Sequence, residues 1–210
     1  MNKTHPLMLL FTLAFNLCIS QNAEEARIKE SFEKYKSAIL NDKGKEAVTY
    51  VDSRTVSYYT EILQATKKAD AAEINALGVM DKLMVFSIRH QATREELLQF
   101  DGEGLLVYAI EKGMIGKNSI ANNSLGTIKV EGSFAKGQLV TRGREMPLYF
   151  DFHKENGSWK IDLTSIFSTA EMAFKRMQED SGYDENEYIF ALLEMLTGKK
   201  PGDEIWDSIE

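Results

Sequence analysis

Cysteine is almost missing from this chain. Its 210 residues include one, Cys18, so no disulfide can form within the chain and no cysteine-rich zinc site can be built. Proline is nearly as scarce, at three residues, and no Pro-, Ser- or Gly-rich linker divides the sequence. There is no basic cluster. The formal charge is -7 with the acids spread out, which makes nucleic acid and anionic membrane surfaces poor partners, because both require Lys/Arg patches. Histidine occurs three times, never as H-x-x-x-H or H-E-x-x-H, which argues against a zinc hydrolase. "GEGLL" is not a G-x-G-x-x-G, no Gly-rich phosphate loop follows a strand, and no nucleophile elbow occurs. The sequence therefore gives no reason to expect a metal or other cofactor, and it holds no diagnostic catalytic motif.

What is present begins with the first twenty residues. Lys3 precedes an apolar run from Leu7 to Ile19, broken only by Thr12 and Asn16, and small Ser20 ends it before the polar "QNAEEARIKE". This is the anatomy of a secretory signal peptide, with an apolar region short for a membrane span. Cleavage after Ser20 would leave Gln21 first, remove the single cysteine and Lys3, and set the balance at 24 basic against 32 acidic residues. Acylation at Cys18, which would make an outer-membrane lipoprotein, is the weaker alternative, since bulky Leu17 stands where a small residue is expected. The expected location is the periplasm or the extracellular space, with no membrane span once the leader is removed. Hydrophobic residues make up 43%, enough for a core. The expected organisation is a leader over 1–20, an α+β domain over 21–167 and a helical extension over 168–210 packed on that domain.

Periodicity divides the chain. Ile28, Phe32, Tyr35 and Ile39 mark one face of a helix over about 24–40. A second helix covers about 54–68, with Tyr59, Ile62 and Leu63 inward. Asp70 with Glu73, and Thr93 with Glu96, read as capping boxes. Between them, a helix over about 76–91 carries Met80, Leu83, Met84 and Ile88. "GEGLLVYAIEKGMIG" fits either a helix or a helix-to-strand passage. From about Ser124 the period becomes two, and "GTIKVEGSF", "GQLVTRG", "EMPLYFDFHK" and "SWKIDL" read as strands of a meander. Pro147 argues for an edge or an unpaired start of the third. Helical spacing then returns. Ser168 with Glu171, stapled by Phe167 and Met172, and Asp184 with Glu187, stapled by Tyr183 and Tyr188, open two helices, which Gly182 and Gly198 close. The acidic tail around Trp206 is either loose or docked. Helices, then antiparallel strands, then helices make an α+β pattern.

One stretch, "FDFHKENGSWKIDL", brings acids near a histidine. If Asn156-Gly157 is a two-residue type I′ turn, then Glu155 pairs with Ser158, His153 with Lys160, Asp151 with Asp162 and Phe150 with Leu163. Alternation sends Met146, Leu148, Phe150, Phe152, Trp159, Ile161 and Leu163 to one face. Tyr149, Asp151, His153, Lys160 and Asp162 fall on the other. The apolar face must meet the helices. The charged one reads as an outer network over solvent, worth little to stability.

The segment "EGSFAKGQLVTRGREMPLYFDFHKENGSWKIDL", together with "EAVTYVDSRTVSYYTEIL" upstream, resembles the NTF2-like, cystatin-like superfamily, and the leader without disulfides resembles that of bacterial export substrates. The resemblance covers about 24–163 and implies a cone: N-terminal helices on a curved antiparallel sheet, here with extra C-terminal helices. In such a cone the apolar sheet face walls any pocket. The expected wall is Phe150, Phe152, Trp159, Ile161 and Leu163, joined by Met84 and by Arg89, which could hold an anionic ligand. As a cation at a helix end, Arg89 also reads as a simple cap, with His90 beside it. The fold hosts binding modules as well as isomerases, dehydratases and hydrolases. For an enzyme, the weak catalytic candidates are Asp81, Tyr59 and Tyr108, with Tyr58 a further donor. Without a catalytic motif, the first expectation is a non-catalytic protein that binds a small apolar or amphipathic ligand or a protein partner. The alternatives are such an enzyme or a protein-interaction module, and a homodimer is compatible with each.

Overall fold

The computed structural model describes residues 7–114 and 117–210, and it leaves out the side chains of 7–20, 118 and 119. The first six residues of the expected leader and the side chain of Cys18 thus lie outside the described residues. The architecture is α+β, helices around a curved four-stranded antiparallel sheet. Among the described residues no helix is long and apolar enough to cross a membrane.

Helix α1 (Leu7–Leu40) buries the expected stripe: Ile28, Phe32, Tyr35 and Ile39 are each at most 3% exposed. The chain turns at 41–43, where Asp42 takes a left-handed conformation (φ 54°). It then forms the short α2 (Gly44–Val48). Asp52 caps α3 (Ser53–Lys68) by accepting the Thr55 amide. Three expected capping boxes form with both reciprocal hydrogen bonds, opening α4 (Ala71–Ala76), α6 (Arg94–Gln99) and α10 (Glu185–Thr197). Each depends on residues three apart, so local sequence determines it. Helix α5 (Val79–Gln91) starts later than the expected residue 76, after Gly78. Its fully buried apolar residues are Val79, Val85, Phe86 and Ile88, while Met80, Leu83 and Met84 are partly exposed. "GEGLLVYAIE" resolves as a helix, α7 (Gly102–Glu111), which crosses α3 closely. A β-carbon on Gly102 would stand 2.8 Å from the Val56 carbonyl oxygen. A short α8 (Lys117–Ala121) leads into the sheet.

The sheet is a meander in chain order: β1 (Asn123–Glu131), β2 (Phe134–Thr141), β3 (Arg144–Glu155) and β4 (Ser158–Asp162). Asn156 (φ 50°) and Gly157 (φ 81°) are both left-handed, as a type I′ turn requires. The register matches the expected one from Glu155↔Ser158 to Asp151↔Asp162. The expected sixth pair, Phe150 with Leu163, does not form, because Leu163 opens a 3₁₀ turn over Leu163–Ile166. Pro147 lies beyond the β4 pairing and beside a register shift between Gln138 and Val140, where a missing amide costs no ladder bond. The free edge of β4 is covered by a parallel bridge, Val51 to Ile161, with Ile161 N–H donating to Tyr50 O and Asp52 N–H to Ile161 O.

The first of the two capping expectations at the C-terminal side fails. Helix α9 (Phe167–Ser181) has Ile166, not Ser168, at its N-cap, and no side chain caps it. Asp162 already caps the preceding 3₁₀ turn by accepting the Thr164 amide, so the chain enters α9 without a free cap position. Met172 is consequently 66% exposed, not part of a staple, and Tyr183 is half exposed while Tyr188 packs on Phe174. Gly182 and Gly198 end α9 and α10 in left-handed conformations, as expected. The tail docks: the Trp206 ring meets Phe86 edge-on at 4.7 Å, and Ile209 N–H donates to Lys67 O.

Two hydrophobic clusters result. One joins α1, α3 and α7 to the apolar sheet face. The other joins α4, α5, α9, α10 and Ile205.

Candidate functional site

The apolar side of the hairpin is core. Phe152 and Ile161 are fully buried, Trp159 and Phe150 nearly so, in the same cluster as the α1 stripe. Phe32 meets Phe150 at a ring separation of 5.9 Å. Leu163 is partly buried against this cluster. Of the seven residues expected to wall a pocket, Trp159 borders an open polar recess of about 370 Å³ between α1 and the hairpin, and Met84 lines the apolar cavity described next, from a helix. The sheet face is occupied by α1, whose stripe of Ile28, Phe32, Tyr35 and Ile39, spaced by three or four residues, supplies large side chains where a ligand would need space.

That cavity, of about 400 Å³, lies among α3, α5, α7 and the end of α10. Its floor is Tyr59, Ile88, Leu105 and Ala109, all buried, and its walls include Met84 and Met114. Ile88 and Leu105 belong to the first hydrophobic cluster and Leu83 packs on the second, so the space borders both cores. Exposed Lys112 and Leu196 mark its mouth. A polar recess of about 340 Å³ shares Gln91, Lys112, Leu196 and Thr197 with it and adds His90, Tyr108 and Lys199. His90 Nε2 lies 2.9 Å from Thr197 Oγ1. The Tyr108 hydroxyl donates to the Gln91 carbonyl and to Glu96 Oε2, and Lys112 lies over the Tyr108 ring. The Thr93 backbone amide holds the Glu96 carboxyl below its ordinary range, and Lys112 adds to this.

The remaining candidates scatter. Tyr59 is on the cavity floor, and burial pushes its phenol up to about 12. Asp81 accepts the Tyr58 hydroxyl at 2.7 Å, beside Phe167. Burial, then that hydrogen bond, raises the Tyr58 phenol well above its usual value. Neither residue lines the cavity. Arg89 points away from the cavity and clamps backbone: it donates to the carbonyls of Ala65, Thr66 and Ala69 at the end of α3 and to Ile205 in the tail. Ala65 O also accepts the Ala69 amide, while the guanidinium reaches Thr66 O and Ala69 O at the helix end, where an α-helix leaves carbonyls open.

The charged face is not the solvated network that alternation suggests. Asp162 is 7% exposed and Asp52, which the sequence reading used nowhere, is fully buried beside it. Ligand atoms of Asp52, His153 and Asp162 lie within 4.8 Å of one another. Asp151 pairs loosely with Lys136 at 3.7 Å, and Lys160 donates to the Thr49 carbonyl. The expected surface is covered because the 50–55 segment pairs with β4 and lays the start of α3 across its outer end.

Comparisons with family models, with curated proteins and with solved structures found no match.

Proposed function

We propose that this protein is an exported, non-catalytic binder of a small amphipathic anion, taken up in the cavity among α3, α5, α7 and α10. The observation that carries the reading is the pairing of that apolar space with an adjoining recess bearing Lys112, Lys199 and His90. Its volume falls in the range of small-molecule sites, which are mostly apolar with a few fixed polar groups. An acyl or ring body would lie on Met84, Ile88, Leu105 and Met114, and its carboxylate or sulfate would meet the lysines at the rim. Gln91 and Thr197 would orient the head. No carboxylate occurs among the described residues lining the apolar space, so a base for isomerase or dehydratase chemistry has no support there. Tyr58 and Asp81 satisfy each other away from it.

The NTF2-like ancestry belongs to the same proposal. The meander over 123–162 with α1 across its apolar face supports it, with the ligand moved from the sheet into the helical layer. Export rests on the leader-like sequence of 1–20. Native mass spectrometry of the protein purified from its own host tests the binding reading. An adduct of a few hundred daltons that is anionic when released supports it. A bare chain that also takes up no long-chain carboxylate or sulfate in vitro overturns it.

A further inference from the structure

We propose that Asp52, His153 and Asp162 form a binding site for a first-row divalent cation, zinc or manganese in class, on the side of the sheet away from the core. The three come from the start of α3, from β3 and from the end of β4, and they meet because the Val51–Ile161 bridge draws the first turn of α3 onto the hairpin.

The geometry of the two carboxylates is complementary. Asp52 Oδ1 accepts the Thr55 amide, and Asp162 Oδ1 accepts the amide and hydroxyl of Thr164. Each carboxylate is thereby oriented through one oxygen, the kind of outer-shell support that metal ligands receive. The second oxygens are left for another partner. Asp162 Oδ2 accepts no hydrogen bond among the described residues, and His153 Nε2 stands 3.9 Å from it, too far for one. Among the described residues, Asp52 Oδ2 meets only the Arg54 guanidinium, at 3.3 Å, on a side chain 56% exposed. Two almost fully buried carboxylates within 4.8 Å of each other are costly without a cation between them. The exposed Arg54 offsets part of this from one side. The Phe134 ring, 5.3 Å from that of His153, restrains the imidazole.

One imidazole and two carboxylate oxygens suit zinc or manganese better than a soft metal or the all-oxygen shell of calcium. Bonds of about 2.0–2.2 Å to a tetrahedral ion put ligand atoms roughly 3.4 Å apart. Closing from the present separations requires side-chain shifts of at most about 1 Å, with Arg54 swinging into solvent. Three protein ligands leave a further position for water. Linear spacing rules could not complete this set: His153 and Asp162 share one hairpin, but Asp52 lies about a hundred positions away.

The test is equilibrium dialysis of the chelator-stripped full chain against Zn²⁺ alone and Mn²⁺ alone, followed by metal analysis. The expected result is one ion per chain. His153→Gln should weaken binding at least tenfold. Asp162→Asn keeps an acceptor for Thr164, so the cap survives, and it should weaken binding similarly. Arg54→Ala removes the competing cation and should tighten binding severalfold, a gain that misfolding cannot imitate. Absence of stoichiometric binding overturns the proposal and leaves a structural ion-pair knot. Binding that is indifferent to all three substitutions overturns it too, since the ion would then sit elsewhere.

Discussion

Glu24 near the start of the described side chains accepts the indole N–H of Trp159 at 2.6 Å and the Lys154 ammonium at 2.8 Å. One carboxylate thus ties α1 to both strands of the β3–β4 hairpin. The Lys154 bond, then the Trp159 bond, lowers the Glu24 carboxyl below its ordinary 4.5. A depressed acid contributes stability that is complete above its unfolded value and is lost as pH falls through the folded one. Glu24→Gln should therefore cost about 1–2 kcal/mol near neutral pH. It should cost less at the acid end of the fold's stable range, once pH has fallen through the folded value and the wild-type carboxyl has taken up its proton. Urea unfolding at the two pH values, followed through tryptophan fluorescence, measures both. An equal cost at both would remove the charge from the explanation.

Arg89 is expected to act on stability, not on a ligand. Arg89→Met removes the guanidinium from the Thr66, Ala69 and Ile205 carbonyls and leaves Ala65 O with the Ala69 amide alone. The loss should be about 2–3 kcal/mol. Arg89→Lys should recover only part, because an ammonium cannot span the carbonyls as a planar fork does. Hydrogen exchange should quicken at Ile209 and Glu210, whose amides bond to Lys67 O. Unchanged exchange in the tail would contradict the clamp.

Tyr58→Phe and Asp81→Ala each break the 2.7 Å bond. Each should cost about 1 kcal/mol, and the double variant should cost less than the sum. Ligand uptake should stay the same in all three, since the pair lies outside the cavity. A double-mutant cycle with parallel binding isotherms reads both. Lost uptake in Asp81→Ala would revive this carboxylate as a functional group.

Gly102→Ala should destabilise the chain by about 1–3 kcal/mol, because the added carbon meets the Val56 carbonyl and Thr60 on α3. The measurement is a thermal melt. A neutral result would mean that α3 and α7 can part without loss, and the cavity between them would then be less firmly shaped than its walls imply.

Much of this fold can be read locally. The α1 stripe, three capping boxes and the Asn156-Gly157 hairpin each depend on residues a few positions apart, and each forms as the pattern says. The failures share a different cause. Ser168 has the right neighbours for a cap but loses to Asp162, which starts a 3₁₀ turn six residues earlier. Leu163 cannot extend the β3–β4 ladder for the same reason. Alternation correctly divides the hairpin into two faces, yet it cannot say what covers the outer one. Asp52, more than one hundred positions from Asp162, reaches it through a single parallel bridge. Arg89 reads as a cap from its place at a helix end, but the carbonyls it serves belong to α3 and the tail. The cavity likewise forms where helices from distant stretches meet imperfectly, and no run of sequence encodes such a gap.

The central claim is that the helical-layer cavity, not the sheet face, holds an amphipathic anion. The most direct measurement is a fluorescence titration with an environment-sensitive apolar naphthylamine dye, displaced by long-chain carboxylates, on wild type, Ala109→Phe and Leu196→Glu. Ala109 is on the cavity floor and Leu196, 74% exposed, is at the mouth, where a substitution leaves folding intact. The account predicts saturable, displaceable binding in wild type, a loss of at least tenfold, about 1.4 kcal/mol, in both variants, and a milder loss in Lys112→Gln. Binding of equal strength in wild type, Ala109→Phe and Leu196→Glu, or none in wild type, would contradict it.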